Sequence, residues 1–371
     1  MSLMLLVFVV VLSMTANASD SFTTEEFTFE SSGLSLHGII SQPSTIEAQS
    51  LVIVIPGHGP TNVVAGNWFY ELRSRFTAEG VAVAIWDRPG CGKSEGEYDH
   101  NQSVESSADE AVAAIHSIRS NRVPGHQRVG LWGVSRGGWI APLAMDKDPG
   151  ISFWISVSGT DAFETWGYLF RSTLELEGHS KQEADFLYDQ WIKSNLIFAQ
   201  GTTYSDYQVE TDALRRNKIY QELAGQEYVS YEEGSVEFER EKERYDKIQQ
   251  AYIAQGHQFD EKTGLKIVVE DFDQILDQIS VPVLAIFGDN DRHVDWRKTK
   301  QLYERTMGAD DSSLLTVKVF QGADHSIRMS KTGGYFETMQ PEYWKTPYAD
   351  GYYEAMIDFV CSSGFCAGPK E

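Results

Sequence analysis

A serine flanked by two glycines is the strongest chemical signal in the sequence. The segment LWGVSRGG holds Gly133, Ser135 and Gly137 as G-x-S-x-G, between a short apolar run and a helical pattern. A sharp turn from strand to helix leaves no room for side chains two positions from the serine. The helix start also directs backbone N–H groups at developing negative charge. The pattern therefore predicts a nucleophilic Ser135 rather than an ordinary turn serine.

Two later polar turns could supply the groups that activate a serine. GDNDRHV follows the apolar run VPVLAIF, and FQGADHSI follows the run LTVKVF. A serine hydroxyl needs a base to accept its proton, and the base needs a carboxylate that fixes its tautomer. We predict that His325 is the base, because a loop after the last strand can bring its imidazole to the serine. Asp324 is its sequence neighbour and is poorly placed to bond its ring.

Short apolar runs alternate with helical patterns along most of the chain. The runs are nearly continuous, as in strands buried on both faces, and lie at 51–56, 81–86, 128–132, 151–157, 281–287 and 315–320. The helical patterns lie at about 67–79, 104–120, 136–146, 294–308 and 350–360. Residues 26–43 alternate and break at a Ser-Ser-Gly turn, which predicts a β-hairpin. The whole pattern predicts an α/β fold with a mostly parallel twisted sheet and helices on both faces.

In this context the chain resembles the α/β-hydrolase superfamily over nearly all of its length after residue 18. Members carry their nucleophile, acid and histidine after the fifth, seventh and eighth strands, in the chain order found here. The superfamily's acid pattern G-x-x-D-x-x-V falls on Gly288, Asp291 and Val294. It selects Asp291 as the acid over Asp289 and Asp295. Asp289 or Asp295 is then expected to cap a helix.

The resemblance also implies an oxyanion hole built from two backbone N–H groups. One would belong to Arg136, the residue after the nucleophile. The second would come from PGHGPT, where Gly59 is the expected donor and His58 the alternative, because Pro60 has no N–H. His58 precedes the nucleophile, so we expect it to support this loop rather than to act as the base. The Arg136 side chain could face solvent or a substrate carboxylate.

The alternation is interrupted once, between the runs 151–157 and 281–287. A structureless loop of about 120 residues is uncommon in a compact domain. The segment is amphipathic and helical in period, so we predict a helical cap at 160–265, inserted into a core formed by 19–159 and 266–371. Its aromatic residues should mainly form the core of the cap, and the others would line an apolar pocket for an acyl or aryl group. They are Trp166, Tyr168, Phe170, Phe186, Tyr188, Trp191, Phe198 and several later tyrosines.

These residues predict a serine hydrolase that cleaves carboxylic esters through an acyl-enzyme on Ser135, without metal or organic cofactor. A serine at this turn separates the chain from haloalkane dehalogenases, which use Asp there, and from dienelactone hydrolases, which use Cys. A serine aminopeptidase or amidase is an alternative, with Glu175, Glu177 or Glu183 holding a substrate amine rather than forming a solvated helix face. Acyl transfer is another, and a non-catalytic binding module is disfavoured because all three catalytic residue types are present.

The charge balance argues against polyanionic partners. With 31 Lys and Arg against 54 Asp and Glu, the formal net charge is −23. A field of that sign repels nucleic acid and anionic membrane surfaces. We therefore expect a small-molecule ester as the partner, with no nucleic acid and no stable membrane association.

The first eighteen residues predict a signal peptide that is cleaved near Ala18. LMLLVFVVVL is followed by SMTANA, whose Ala16 and Ala18 form an A-x-A cleavage site. The apolar run is too short to cross about 30 Å of hydrocarbon as a helix. No Lys or Arg precedes it, which leaves an uncleaved anchor as the alternative. An exported chain permits a disulfide between Cys361 and Cys366, with Cys91 unpaired.

The segment DRPGCGKSEG, residues 87–96, ends like a phosphate-binding loop. Such a loop needs glycine where this chain has Asp87, and a helix beginning at its Lys-Ser, where this chain continues as a loop. The segment instead resembles the D-x-R-G-x-G-x-S turn after the fourth hydrolase strand. It raises the question of whether Asp87 and Arg88 form an ion pair beneath the site.

Overall fold

The computed structural model describes residues 22–308 and 313–367, so the predicted signal peptide lies outside the described residues. Its strands are β1 (Phe22–Ser31), β2 (Leu34–Pro43), β3 (Ser50–Ile55), β4 (Val81–Trp86), β5 (Val129–Val134), β6 (Phe153–Val157), β7 (Val283–Gly288) and β8 (Leu315–Phe320). They form one sheet in the order β1-β2-β4-β3-β5-β6-β7-β8.

The sheet is antiparallel at one edge and parallel elsewhere. The β1–β2 hairpin turns between Ser31 and Leu34, and β2 pairs antiparallel with β4. All pairings from β4 through β3, β5, β6 and β7 to β8 are parallel. Every residue of β3, β4, β6 and β7 is buried, which explains why their sequences show no polar alternation. The predicted α/β class is confirmed.

Helices cover both faces of this sheet. The core helices are α1 (Tyr70–Ala78), α2 (Val104–Ser120), α3 (Gly137–Lys147), α10 (Phe272–Asp277), α11 (Trp296–Thr306), α12 (Tyr335–Thr338) and α13 (Tyr352–Ser362), and a short 3-10 helix spans Tyr343–Lys345. Leu51 of β3 packs in one hydrophobic cluster with Ile115 of α2. Val52 points the other way, into a second cluster with Phe76 of α1 and Met356 of α13. Successive side chains of a strand point to opposite faces of the sheet, so β3 contributes to both hydrophobic clusters.

Six helices lie between β6 and α10, in the segment predicted as the cap. They are α4 (Trp166–Leu176), α5 (Lys181–Ala199), α6 (Tyr204–Glu210), α7 (Asp212–Arg216), α8 (Lys218–Ala224) and α9 (Val236–Ala254). They have cores of their own: Phe170 and Trp191 lie in one cluster, and Tyr204 and Tyr245 lie in another. Most of the aromatic residues singled out in the sequence are at least partly buried in these clusters, whereas Phe186 is exposed.

The end of α13 is fastened to the core. A disulfide joins Cys361 to Cys366, and Cys91 is free and buried. The following loop is held by Ser50, whose hydroxyl donates to the carbonyl of Phe365 at 2.7 Å. No helix among residues 22–308 and 313–367 is long and apolar enough to cross a membrane.

Candidate active site

Ser135 sits at the tip of the turn between β5 and α3. Its backbone is in the left-handed region, with φ 54°, a strained conformation for a residue with a side chain. Its N–H donates to the carbonyl of Val157 at 2.9 Å, and its own carbonyl accepts the N–H of Gly138 at 2.7 Å. These bonds hold the turn against the strain.

Both glycines of the motif lie where a side chain would crowd the backbone. A Cβ on Gly133 would lie 2.8 Å from the carbonyl oxygen of Gly137. A Cβ on Gly137 would lie 3.0 Å from the carbonyl oxygen of Ile55 on the neighbouring strand. The strand-turn-helix context predicted around Ser135 is therefore present.

Asp291 and His325 form a buried hydrogen-bonded pair. Asp291 follows β7, His325 follows β8, and Nδ1 of the histidine lies 2.7 Å from Oδ2 of the carboxylate. Oδ1 accepts the backbone N–H groups of His293 at 2.8 Å and Val294 at 3.0 Å. Asp291 is only 1% exposed, so these donors replace its solvation. Both carboxylate oxygens are thereby fixed, and Oδ2 is left to orient the imidazole.

The other carboxylates of these turns have structural partners. Asp295 caps α11 by accepting the N–H of Lys298, which confirms the expectation for one of the two cap candidates. Asp289 does not cap a helix but accepts the N–H of Gly322 at 2.7 Å. Asp324 accepts the N–H of Ser326 at 2.9 Å. It binds backbone, as its place beside the histidine implied.

The pair perturbs both ionisations in opposite directions. Burial opposes protonation of His325, but attraction to the Asp291 carboxylate and their hydrogen bond outweigh it, so the pKa of His325 is raised. Burial likewise penalises the charged Asp291, yet the histidine and the backbone donors hold the pKa of this carboxyl below its ordinary value. The pair thus favours a carboxylate beside an imidazole that gains a proton readily.

A second histidine lies against the first and was missed in the sequence. The ring of His293 stacks on His325 with centroids 5.1 Å apart and an angle of 11° between planes. Burial, with repulsion from a protonated His325, lowers the pKa of His293 to about 4. His293 is therefore neutral and shields one face of the base without competing for its proton. In the sequence, the place of His293 in GDNDRHV, two residues after Asp291, was the only signal that it would lie near the base.

Arg88 holds the loop that follows β3. Its guanidinium donates to the carbonyls of Pro56 at 3.0 Å, Gly57 at 2.5 Å and Gly59 at 2.5 Å. Three carbonyls facing one cation fix the path of the backbone through the predicted oxyanion loop. Arg88 is buried, and burial is the main reason that its pKa is lowered.

Asp87 holds the other end of the same loop. Its Oδ1 accepts the N–H of Val63 at 2.7 Å, and the backbone N–H of Arg88 donates to Thr61 Oγ1 at 2.8 Å. Within the described ranges Asp87 and Arg88 make no ion pair with each other. The DRPG turn therefore holds the loop after β3 through two separate sets of hydrogen bonds, one from Arg88 and one from Asp87.

The predicted oxyanion donors have free N–H groups. Among the described residues the backbone N–H of Arg136, and those of Gly59 and His58, donate no recorded hydrogen bond. Gly59 adopts φ 108°, a conformation that side chains disfavour. Its role and that of Arg136 remain predictions, to which these free donors are suited.

The Arg136 side chain turns away from both surroundings considered for it. It is buried and donates to Ser107 Oγ at 3.0 Å and to the carbonyls of Gln102 at 2.6 Å and Ser103 at 3.1 Å. Burial lowers its pKa to about 10. The guanidinium therefore anchors the start of α2, and neither solvent nor a substrate carboxylate is its main partner.

Ser135 and His325 line one large cavity between the core and the cap. Its volume is about 1380 Å³, and the cap side includes Trp166 of α4 and Ile248 and Tyr252 of α9. Both apolar and polar side chains line it, as expected of a ligand site. The nucleophile and base candidates thus line the same cavity.

The three cap carboxylates proposed for an amine do not line this cavity. Glu183 closes the capping box of α5 with Ser180. Glu175 lies on a separate cavity of about 230 Å³. Glu177 is exposed at the end of α4. All three are exposed, as expected of a solvated helix face, so the alternative in which they hold an amine has no support in this cavity.

His58 meets a second histidine on the cavity wall. Its Nε2 lies 3.2 Å from Nε2 of His100, with the two rings perpendicular. Partial desolvation, with repulsion from His100, Arg136 and Arg88, lowers the pKa of His58 to about 4. His58 is therefore neutral, and its supporting role in the predicted oxyanion loop stays a prediction.

Two family models match separate parts of the chain. Residues 47–181, which hold the predicted oxyanion loop and Ser135, match "Serine aminopeptidase, S33". Residues 268–348, which hold Asp291 and His325, match the dienelactone hydrolase family. The second match excludes the nucleophile turn, so it does not bear on the serine found there.

Similar proteins include hydrolases of several activities. The chain is 31% identical over 110 residues to the quorum-quenching protein AidA of Acinetobacter baumannii, a stretch that spans 30% of this chain and 35% of that relative. The Pyrococcus furiosus esterase Pf2001 has a TM-score of 0.50 at 14% identity, covering 92% of this chain and 91% of its own. A proline iminopeptidase of Mycobacterium smegmatis has a TM-score of 0.50 at 15% identity, covering 91% and 98%. These likenesses confirm the predicted fold.

We predict that Arg88→Lys lowers kcat about 100-fold while KM changes little. A single ammonium cannot bond three carbonyls, and a misplaced catalytic group costs about this much. The measurement is steady-state hydrolysis of 4-nitrophenyl butyrate, with circular dichroism to verify folding. Arg240→Lys, an exposed arginine of α9, is the matched control. An unchanged kcat in folded Arg88→Lys would show that the hydrogen bonds of Arg88 to this loop do not contribute to catalysis.

We predict that kcat/KM falls as pH is lowered through a midpoint above the ordinary histidine pKa of about 6.5. A protonated imidazole cannot accept the serine proton, and the Asp291 pairing raises the pKa of His325, so the loss begins at a higher pH.

Asp291→Asn should shift that midpoint downwards and lower kcat on the order of 10³-fold to 10⁴-fold, because the tautomer is no longer fixed. Asp350→Asn changes an exposed carboxylate and serves as control. An identical midpoint in Asp291→Asn and the native chain would contradict the coupling.

Proposed function

We propose that the chain is a hydrolase of the α/β-hydrolase superfamily, as the two family matches support, and that it cleaves carboxylic esters through an acyl-enzyme on Ser135. The supporting observation is that Ser135 shares a cavity with His325, whose ring is held by buried Asp291. Ser135 follows β5, Asp291 follows β7 and His325 follows β8, so all three lie at the carboxyl edge of the sheet. This is the edge at which open α/β sheets bind ligands.

The mechanism follows from the roles of these groups. His325 accepts the hydroxyl proton as Ser135 Oγ attacks the ester carbonyl carbon. The oxyanion accepts hydrogen bonds from the N–H groups of Arg136 and Gly59. His325 then protonates the departing alcohol oxygen, leaving an ester on Ser135. Water attacks this acyl-enzyme with His325 as base again, which releases the acid and regenerates the serine.

The charge of the cavity favours an ester over a substrate with a free amine. Its ionisable lining, apart from histidines, includes four basic side chains and two acidic ones: Arg136, Arg244, Lys247, Lys266, Glu105 and Glu270. A free ammonium would meet net repulsion there, whereas an ester carries no charge at the scissile bond.

An aminopeptidase is the second candidate, because the family model over residues 47–181 is named for that activity. Glu105 and Glu270 are the carboxylates on this cavity that could hold an amine. Because the Acinetobacter baumannii relative is a quorum-quenching protein, quorum-signal compounds are a further substrate class to test. Acyl transfer would use the same acyl-enzyme with another alcohol in place of water.

We predict that a fluorophosphonate probe labels the chain once, at Ser135. The probe phosphonylates an activated serine, and peptide mapping by mass spectrometry locates the adduct. Ser135→Ala should lose labelling and at least about 10³-fold of ester hydrolysis. Ser158→Ala, another serine after a strand with positive φ, is the control and should still be labelled at Ser135. A main adduct elsewhere would overturn the assignment.

The ester and peptidase candidates separate on paired substrates. We predict higher kcat/KM for 4-nitrophenyl esters of short and medium chain length than for amino-acyl 4-nitroanilides with free amines. Glu270→Gln is informative, since loss of nitroanilide cleavage alone would show that an amine binds there. Faster cleavage of the free-amine nitroanilides in the native chain would establish the aminopeptidase instead.

We also propose that the chain is exported after cleavage near Ala18. The Cys361–Cys366 disulfide supports this, because such bonds persist in oxidising compartments. Mass spectrometry of the protein from its own cells should find a mature N-terminus at Ser19. An intact N-terminus in a soluble intracellular fraction would exclude it.

A further inference from the structure

Among the described residues, Lys266 is a half-buried cation of this cavity whose ammonium has neither a hydrogen-bond partner nor an ion-pair partner. Arg136 is engaged by three oxygen acceptors. Arg244 is largely exposed and pairs with Glu241 at 3.5 Å. Lys247 is exposed to solvent. Lys266 is half-buried, and within residues 22–308 and 313–367 its ammonium makes no ion pair or hydrogen bond.

The surroundings of Lys266 compensate its charge only in part. Glu164 is the nearby acid, but its Oε1 accepts the backbone N–H of Lys266 at 3.1 Å rather than the ammonium. Burial lowers the pKa of Lys266, and the more distant charge of Glu164 offsets this only in part. A half-buried cation without an acceptor is costly to maintain, and an anionic ligand would remove that cost.

Two further hydrogen-bond donors stand beside Lys266 on the same wall. Its Nζ lies 5.9 Å from the ring centroid of Tyr252, and the ring of His257 lies 4.5 Å from that of Tyr252. Burial raises the pKa of Tyr252 to about 12, so its hydroxyl keeps its proton. Burial and then the charge of Lys266 lower the pKa of His257. Among the described residues, neither the hydroxyl of Tyr252 nor the ring nitrogens of His257 have a hydrogen-bond partner.

An ammonium, a phenol and an imidazole grouped in this way form a site suited to an anion. We propose that Lys266, Tyr252 and His257 bind a carboxylate of the substrate, so that the preferred esters carry an acid group remote from the scissile bond. The proposal rests on the ester hydrolysis proposed above and names its substrate class. The three side chains and Ser135 line one cavity. One extended molecule can therefore contact the proposed carboxylate site and Ser135 at the same time.

The test compares charged and neutral esters of similar length. Mono-4-nitrophenyl esters of dicarboxylic acids from succinate to sebacate are assayed against 4-nitrophenyl alkanoates, with spontaneous hydrolysis subtracted. We expect kcat/KM to peak at one dicarboxylate length and to exceed that of the matched alkanoate about tenfold or more, through KM. Esters with the carboxylate on the alcohol side, the 4-acyloxybenzoates, form a second arm that locates the acid group.

The variants isolate the ammonium. Lys266→Met should lower the ratio of charged to neutral kcat/KM about tenfold, and this ratio cancels any loss common to both substrates. Lys266→Arg should restore most of it. Tyr252→Phe should lower the ratio less. Lys262→Met removes an exposed lysine outside the cavity and should leave both values unchanged. A native ratio near one, or a ratio insensitive to Lys266→Met, would overturn the proposal.

A binding measurement separates this proposal from that of ester hydrolysis. Calorimetric titration of adipate into Ser135→Ala needs no turnover, and binding that is lost in Ser135→Ala/Lys266→Met supports the carboxylate site even if no ester is cleaved. If neutral alkanoates are cleaved but adipate does not bind, ester hydrolysis stands and the carboxylate site is excluded.

Discussion

The buried hydrogen bond between Asp291 and His325 is the interaction on which the rest of the site depends. A carboxylate can be removed from water only if donors replace its solvation, and here the backbone of the turn after β7 supplies them. Asp291 meets His325 because β7 and β8 are parallel neighbours whose carboxyl ends lie side by side. The two strands therefore do more than form a core. The turn at their shared edge reduces the free-energy cost of burying the charged pair.

A second constraint acts on the opposite side of the cavity. The loop after β3 contains glycines and a proline, and such a chain has little intrinsic order. Arg88 and Asp87 impose the order from the end of β4, by bonding carbonyls at one end and an N–H at the other. The same device recurs at α2, which Arg136 fastens by its carbonyls. Buried guanidinium groups thus fix irregular backbone where no secondary structure can.

Sequence periodicity predicted the sheet well because buried strands and amphipathic helices are local patterns. The runs at 51–56 and 281–287 differ from β3 and β7 by one or two residues. Ser135 was found because its turn needs local glycines. The partners of Arg88 were not found, since they lie about 30 residues away and no local spacing encodes them. The alternative in which the cap glutamates hold an amine rested on charge alone, and charge does not reveal which face of a helix meets the cavity.

The charge distribution gives the cavity an electrostatic character opposite to that of the whole chain. A net charge of −23 should repel an anionic ester at long range. At physiological ionic strength, however, the Debye length is about 8 Å, so most surface carboxylates are screened from a molecule inside the cavity. Lys266 and its neighbours act at contact distance and are partly desolvated, where attraction is strongest. An acidic surface and a carboxylate-binding pocket are therefore compatible, with the surface slowing encounter and the pocket setting affinity.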